Sequence, residues 1–205
     1  MPQPYICETG IAAALLEDRI DTDLIFPARY LLLMERKGLG SYAFRDRRFT
    51  TAGEPLPDFV LNQPRYANAK FLLVGEDFGC GSSREQAVWC LADFGIRCVI
   101  APSFGEIFFG NCSRSGVLPI RLPAETIRRL AGLCETEEFT VDLPAQVIRA
   151  GGEEIAFEIA PGLKEALLNG WDEVDVMLAH HAAEIAAFED GQRQQQPWLY
   201  AGEER

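Results

Sequence analysis

Residues 79–84, Gly-Cys-Gly-Ser-Ser-Arg, place small, nucleophilic and cationic groups at one point of the sequence. They lie between the apolar run KFLLV and the amphipathic run REQAVWCLADFG, a pattern that predicts a corner between a buried strand and a helix. The first backbone N–H groups of a helix lack intrahelical partners, and together with the helix dipole they favour a bound anion. The corner therefore predicts a site for a negatively charged group.

Two overlapping capping boxes are possible where this helix begins. Ser82 would pair with Glu85, or Ser83 with Gln86, and only one serine can be the N-cap. If Ser83 caps the helix, the Ser82 hydroxyl stays free beside the helix amides. A cap with no catalytic role is the commoner meaning of this pattern, so the serines alone do not establish a site.

Arg84 and Gly81 make the anion site more specific. An arginine in the first turn opposes the helix dipole, which suggests that Arg84 holds an anion, most simply a carboxylate. Gly81 permits a positive φ and a close approach of backbone to ligand. The segment matches neither a P-loop, nor G-x-G-x-x-G, nor a G-x-S-x-G elbow. The histidines, His180 and His181, lie in a distant Ala-rich segment, which disfavours a serine hydrolase.

Composition narrows the classes of partner. The 205-residue chain is 48% hydrophobic and carries a net charge of −12, which disfavours binding to nucleic acid and to anionic membranes. No apolar run is long enough to span a bilayer, and the N-terminus lacks a signal-peptide pattern. The six cysteines form no CxxC pair and lie mostly in apolar runs, which predicts reduced thiols and a cytoplasmic protein.

Strands and helices alternate along the chain, which predicts an α/β fold in a single domain, residues 1–205. AKFLLVGE, SREQAVWCLADF and IRCVIAP predict a βαβ unit around residues 69–101, with Gly95 ending its helix. Before it, residues 19–32 predict an extended segment and a short helix, and residues 34–68 a long loop region.

The second half of the chain predicts a strand at VLPIRL, a β-hairpin around Gly151–Gly152, and several helices. The predicted helices are SFGEIFFGN, PAETIRRLAGL, GLKEALLNG and HHAAEIAAFED. The polar tail, residues 190–205, is expected to be loosely held unless Trp198, Leu199 and Tyr200 dock on the body.

Four ordered segments resemble one known family. DRIDTDLIFPARYL, PDFVLNQPRY, GEDFGCGSSREQAVW and VIAPSFGEIFFGN with GVLPI are similar to the small subunits of 3-isopropylmalate dehydratase, the detached swivelling domain of the aconitase superfamily. The similarity covers nearly the whole chain, including LLNG and the C-terminal QPWL. It implies the swivelling β/β/α fold of the aconitase C-terminal domain.

The resemblance implies a hydro-lyase that interconverts 2- and 3-isopropylmalate through isopropylmaleate in leucine biosynthesis. A base removes the proton beside a carboxylate, and an iron of a [4Fe-4S] cluster acts as a Lewis acid on the departing hydroxyl. The first serine of the family motif G-S-S-R-E is that base, which falls on Ser82. Ser83 and Arg84, with Gly81, match positions that bind the substrate.

The resemblance also assigns the cluster to a separate large subunit. The chain's own cysteines have no ferredoxin-like spacing, so neither a metal site nor a cofactor is expected on this chain. The chain is then expected to act only with that subunit, in a heterodimer or larger assembly, on a small dicarboxylate. Residues 34–68 and the corner are candidates for the docking face.

The stretch ARYLLL resembles the loop that faces the variable group of the substrate. Tyr30 and Leu32 are candidate substrate contacts there, because uncharged side chains suit an isopropyl or methyl group, although a helical core stripe explains the leucines equally well. Asp21 and Asp23 fit turns or caps as readily as a site, and neither is assigned a catalytic role.

Two departures from the family pattern leave the substrate open. Gln86 stands where the motif usually continues with histidine, and CSRSG replaces an Asn-rich stretch. A related hydratase acting on citraconate, citramalate or dimethylmaleate is one alternative, and a non-catalytic anion-binding module is another.

Overall fold

A four-stranded parallel sheet carries the glycine-rich corner. In the computed structural model, which describes residues 2–200, its order is β2-β3-β4-β5. The strands are β2 (Ala12–Leu15), β3 (Phe71–Val74), β4 (Cys98–Ala101) and β5 (Leu118–Arg121). All residues of β3 and β4 are buried, as continuous apolar strands are in a sheet covered on both faces. The predicted βαβ unit is confirmed, with parallel β3 and β4 joined through a helix that Gly95 ends at φ +113°.

The second sheet is antiparallel, in the order β1-β6-β7-β8. Its strands are β1 (Cys7–Gly10), β6 (Phe139–Asp142), β7 (Val147–Ala150) and β8 (Glu153–Ala156). The predicted hairpin is confirmed: β7 and β8 flank Gly151 and Gly152, whose φ values of +56° and +80° suit a tight hairpin turn. Both sheets contribute to one continuous core, in which Phe71 and Phe139 lie 6.5 Å apart between ring centroids.

Seven α-helices complete the described part of the chain. They are α1 (Thr22–Ile25), α2 (Arg45–Arg48), α3 (Glu85–Phe94), α4 (Glu106–Arg114), α5 (Ala124–Ala131), α6 (Pro161–Asn169) and α7 (Glu173–Gln195). The predicted α/β fold is confirmed, with one parallel and one antiparallel sheet. No helix among residues 2–200 has the length and hydrophobicity needed to cross a membrane.

The predicted loop region, residues 34–68, folds as short helical segments, one of which packs against α3. Besides α2 it contains 3₁₀ turns at Leu39–Tyr42, Val60–Asn62 and Pro64–Tyr66. A Cβ on Gly40 would stand 2.6 Å from the backbone nitrogen of Phe94, so only glycine allows this close approach. The turn Leu39–Tyr42 is therefore packed on the helix that follows the corner.

The end of the chain differs from its prediction. Helix α7 begins at Glu173, seven residues before the predicted HHAAEIAAFED, because Asp172 and Asp175 form a reciprocal capping box. It continues to Gln195, so the predicted polar tail is helical in its first part, as its glutamines favour. Beyond it, Trp198 is exposed, while Tyr200 bonds to Gln192 through its hydroxyl. Residues 201–205 of the predicted tail lie outside the described residues.

Candidate functional site

The glycine-rich corner, residues 75–84, joins β3 to α3. Gly79 adopts φ +73°, and a Cβ there would meet the Phe108 ring at 2.2 Å. Gly81 adopts φ +94°. Both values lie in the left-handed region that glycine occupies at no steric cost, so the prediction that these glycines permit an unusual backbone course is confirmed.

The first residue of α1 and the residues just before it hold the corner in an extended course. Gly79 N–H donates to the Ile20 carbonyl at 2.7 Å, and Thr22 N–H donates to the Cys80 carbonyl at 2.9 Å. The buried Thr22 hydroxyl donates to the Ser82 carbonyl at 2.9 Å. Asp21 accepts from Leu24 N–H at 2.8 Å and caps α1. The corner is thus supported by residues about 60 positions earlier in the sequence.

The predicted capping boxes are wrong. The N-cap of α3 is Arg84, which has extended φ and ψ of −131° and 102° and makes no side-chain cap. The physical reason is the pairing with Thr22, which keeps the backbone extended through Ser82 and delays the helix. Ser82 and Ser83 are exposed just ahead of the helix. Their hydroxyls are therefore not used as caps, and the first helix amides are not capped by them.

Arg84 already holds a carboxylate, that of Asp23. Its guanidinium Nη1 donates to Asp23 Oδ1 and, at 3.4 Å, to the Phe26 carbonyl, and its side chain is only 14% exposed. Asp23 Oδ1 also accepts from Ala28 N–H at 2.7 Å. The Arg84 hydrogen bond, reinforced by that of Ala28, holds the pKa of Asp23 below its usual range. Within residues 2–200, Nε and Nη2 of Arg84 have no acceptor.

Asp23 is the residue whose role the sequence analysis missed. It lies 61 positions from Arg84, so no local spacing rule connects the two. The only signal was the pair of aspartates in DTD. Through Ala28, Asp23 also joins the corner to the 3₁₀ turn Ala28–Tyr30, which begins the predicted substrate-facing loop.

The two loop candidates have different environments. Tyr30 packs in an aromatic cluster, 4.5 Å from Tyr42 and 6.2 Å from Phe26 between ring centroids. The pKa of Tyr30 is lowered, chiefly by a hydrogen bond from Arg29. Leu32 is 93% exposed and lines an open concavity of about 550 Å³, so a helical core stripe does not explain it.

The same concavity is lined by both apolar and polar side chains. Leu33 and Met34 add further exposed apolar surface, and Glu35, Lys37 and Ser41 add polar groups. The structure therefore presents Leu32 as a free apolar group beside Tyr30, in a loop tied to the corner by Asp23.

The cysteines do not suit an iron–sulfur cluster on this chain. All six are free thiols, and Cys90, Cys98, Cys112 and Cys134 are buried. Burial raises the pKa of all four, that of Cys134 to about 11, whereas a cluster ligand must be a thiolate. Within residues 2–200 no three His, Cys, Asp or Glu side chains are grouped to hold a metal ion.

Comparison with protein families matches most of the chain. A family model described as the aconitase C-terminal domain matches residues 2–125, and one described as LeuD_N matches residues 128–161. A third, described as the C-terminal domain of the 3-isopropylmalate dehydratase small subunit, matches residues 180–202.

Individual proteins are similar over nearly the full length. The 3-isopropylmalate dehydratase small subunit of Rhodospirillum centenum is 50% identical over 194 residues, 93% of this chain and 95% of the relative. That of Bacillus subtilis is 46% identical over 202 residues, 97% of this chain and all of the relative. A crystal structure of 3-isopropylmalate dehydratase (LeuD) from Methanocaldococcus jannaschii superposes with a TM-score of 0.64 at 27% identity. It covers 89% of this chain and 99% of that one.

Proposed function

This chain belongs to the family of 3-isopropylmalate dehydratase small subunits, and we propose that its glycine-rich corner supplies the base and the carboxylate-binding groups of that hydro-lyase. The family places the chain in leucine biosynthesis. A small subunit implies a large one, and we place the family's [4Fe-4S] cluster, the Lewis acid for the departing hydroxyl, on that partner. The observation that carries the proposal is the pair of uncapped, exposed serines ahead of α3, next to an arginine that holds a carboxylate.

Ser82 is the proposed base. A serine hydroxyl loses its proton far above neutral pH, so an alkoxide at Ser82 needs several converging donors or positive charges. Each well-placed donor of this kind stabilises a developing oxyanion by about 3 kcal/mol. The first amides of α3 and Arg84 are on this chain, but Asp23 offsets much of the Arg84 charge. The isolated chain is therefore expected to be inactive until the large subunit adds positive field.

Arg84, Ser83 and Gly81 are the proposed carboxylate-binding groups. Nε and Nη2 of Arg84 remain available while Asp23 occupies Nη1, which suits a second carboxylate on the same guanidinium. Leu32, exposed two residues after Tyr30, offers an apolar contact for the isopropyl group. This favours isopropylmalate over a substrate with a third carboxylate.

The test is anaerobic reconstitution with the large subunit encoded by the same genome. Turnover is followed by the ultraviolet absorbance of the conjugated isopropylmaleate intermediate. Ser82→Ala should lower kcat by about 10³-fold, in the range of lost general-base catalysis, with unchanged affinity for the large subunit. Ser83→Ala is the matched control and should raise KM more than it lowers kcat.

Three results would contradict the proposal. Turnover by Ser82→Ala at the wild-type rate would remove the base assignment, and turnover by the isolated chain would remove the need for a partner. A higher kcat/KM for citramalate than for isopropylmalate would reassign the substrate to a related hydratase.

A further inference from the structure

Helix α7 exposes a regular seam along its length. None of the residues Glu173–Gln195 is buried, and at 1.5 Å per residue the helix is about 34 Å long. Val174, Leu178, His181, Ile185 and Phe188 are spaced alternately by four and three residues. At 100° per residue these five lie within an arc of about 80°. Such 3.5-residue spacing of mainly apolar side chains is typical of a helix that packs along a partner.

The opposite face attaches α7 to the body. His180 Nε2 lies 3.1 Å from Glu165 Oε2, and its ring contacts Trp171 edge-on at 6.5 Å between centroids. Val176 is half-buried on the same side. His180 and Val176 point roughly opposite to the seam, so Leu178 and Phe188 face away from the body of the chain. Val174 borders the body, and Ile185 is half-buried. Val174, Leu178 and Phe188 are exposed there, each by more than half of its surface.

We propose that this seam docks on the large subunit, in an apolar groove with a basic rim; the identity of that partner rests on the proposed function. The positions flanking the seam carry Asp175, Glu184 and Glu189 and a single basic residue, Arg193, which pairs with Asp190. A second copy of this chain packed in parallel would place acidic side chains against acidic side chains. Lys and Arg beside the groove complement these acids, and this favours a different polypeptide as the occupant.

The seam begins next to the glycine-rich corner. Val174, its first residue, lines a concavity of about 520 Å³ together with Glu85 and Arg36. Arg114 pairs with Glu173 and lies 3.7 Å from Glu85, the residue after Arg84. A protein that binds α7 therefore reaches the corner from the adjacent surface. This continuity points to the subunit that completes the active site.

The test compares a seam variant with a matched variant of the opposite face. Leu178→Gln/Phe188→Gln removes two exposed apolar groups from the seam, and Ala179→Gln/Ala187→Gln places the same residue type on exposed positions behind it. Glutamine keeps helix propensity, and circular dichroism verifies that both variants retain the wild-type helix content. Affinity for the cluster-loaded large subunit is measured by sedimentation, and turnover is measured separately at saturating large subunit.

The seam variant should raise the Kd for the large subunit at least tenfold, and the control variant should raise it less than twofold. At saturating large subunit, kcat should be unchanged for both variants. Equal Kd values for both variants would overturn the docking. So would a dimer of the isolated chain that the seam variant abolishes, since the occupant would then be a second copy. Seam-dependent binding without isopropylmalate turnover would support the docking and contradict only the proposed function.

Discussion

Replacing Asp23 by asparagine tests whether the ion pair with Arg84 organises the corner. Asparagine keeps an oxygen that can accept from Ala28 N–H, but it removes the negative charge that accepts from Arg84 Nη1. The guanidinium then keeps only its long bond to the Phe26 carbonyl. Asp23→Ala is the companion variant, because it removes the acceptor for Ala28 as well.

The expected magnitude follows from the exposure of the pair. A hydrogen bond to a charged group contributes about 1.5–3 kcal/mol when shielded, and an exposed ion pair about 0.2–1 kcal/mol. The Arg84 side chain is 14% exposed and that of Asp23 57%, so water screens one partner and not the other. We expect Asp23→Asn to lower the free energy of unfolding by about 1 kcal/mol and Asp23→Ala by about 2 kcal/mol.

The assays are urea unfolding of the isolated chain and steady-state kinetics of the reconstituted complex. Because Arg84 loses its anchor, KM for isopropylmalate should rise about tenfold, the equivalent of about 1.4 kcal/mol, while the affinity for the large subunit stays unchanged. The pKa of Asp23 is lower in the folded chain than in the unfolded one, so its stabilisation is present above about pH 4. This stabilisation is lost as the pH falls through the pKa that Asp23 has in the folded chain.

The stability difference between wild type and Asp23→Asn should therefore be full at pH 7 and shrink below about pH 4. Identical unfolding midpoints at pH 7, together with an unchanged KM, would refute the claim that Asp23 positions Arg84. A difference that persists undiminished in acid would show that it arises from something other than the carboxylate charge.

Three further variants test the surroundings of Ser82. Gly79→Ala should lower the free energy of unfolding by about 3 kcal/mol, because its Cβ meets the Phe108 ring at 2.2 Å with φ +73°; a wild-type urea midpoint would contradict this. Thr22→Val removes the hydroxyl that donates to the Ser82 carbonyl at 2.9 Å, so it should lower the free energy of unfolding by about 1 kcal/mol. It should also lower kcat by a larger factor than it raises KM, and an unchanged kcat would contradict this. Leu32→Ala should raise KM about tenfold for isopropylmalate and little for citramalate, and equal effects on both substrates would show that Leu32 does not face the isopropyl group.

The strands that could be predicted are those with an unambiguous apolar pattern. The runs at Phe71–Val74 and Cys98–Ala101 are apolar at every position, and Gly151–Gly152 marks its hairpin by its turn chemistry. The strands Cys7–Gly10 and Ala12–Leu15 were not predicted, because CETG and AAAL have neither a strong alternation nor β-branched apolar residues. Their pairing with distant strands makes them strands, and that information is not local.

The site shows the same division between local and distant information. The strand–corner–helix course followed from spacing within about fifteen residues. The start of α3 did not, because a preference for a serine cap worth about 1 kcal/mol competes with the bonds from Thr22 that hold the backbone extended. The partnership of Arg84 with Asp23 was equally hidden, since only the fold brings the two segments together.

Charge explains why the chemistry would be divided between two chains. The chain carries a net charge of −12, and the one arginine at the corner already faces Asp23. An alkoxide at Ser82 is therefore strongly disfavoured in the isolated chain, and a dianionic substrate is repelled by its overall field. The acids that flank the α7 seam would instead attract a basic partner surface. If that basic surface also lies over the corner, association of the two chains supplies positive charge near Ser82. That charge would stabilise both the Ser82 alkoxide and the bound dianionic substrate.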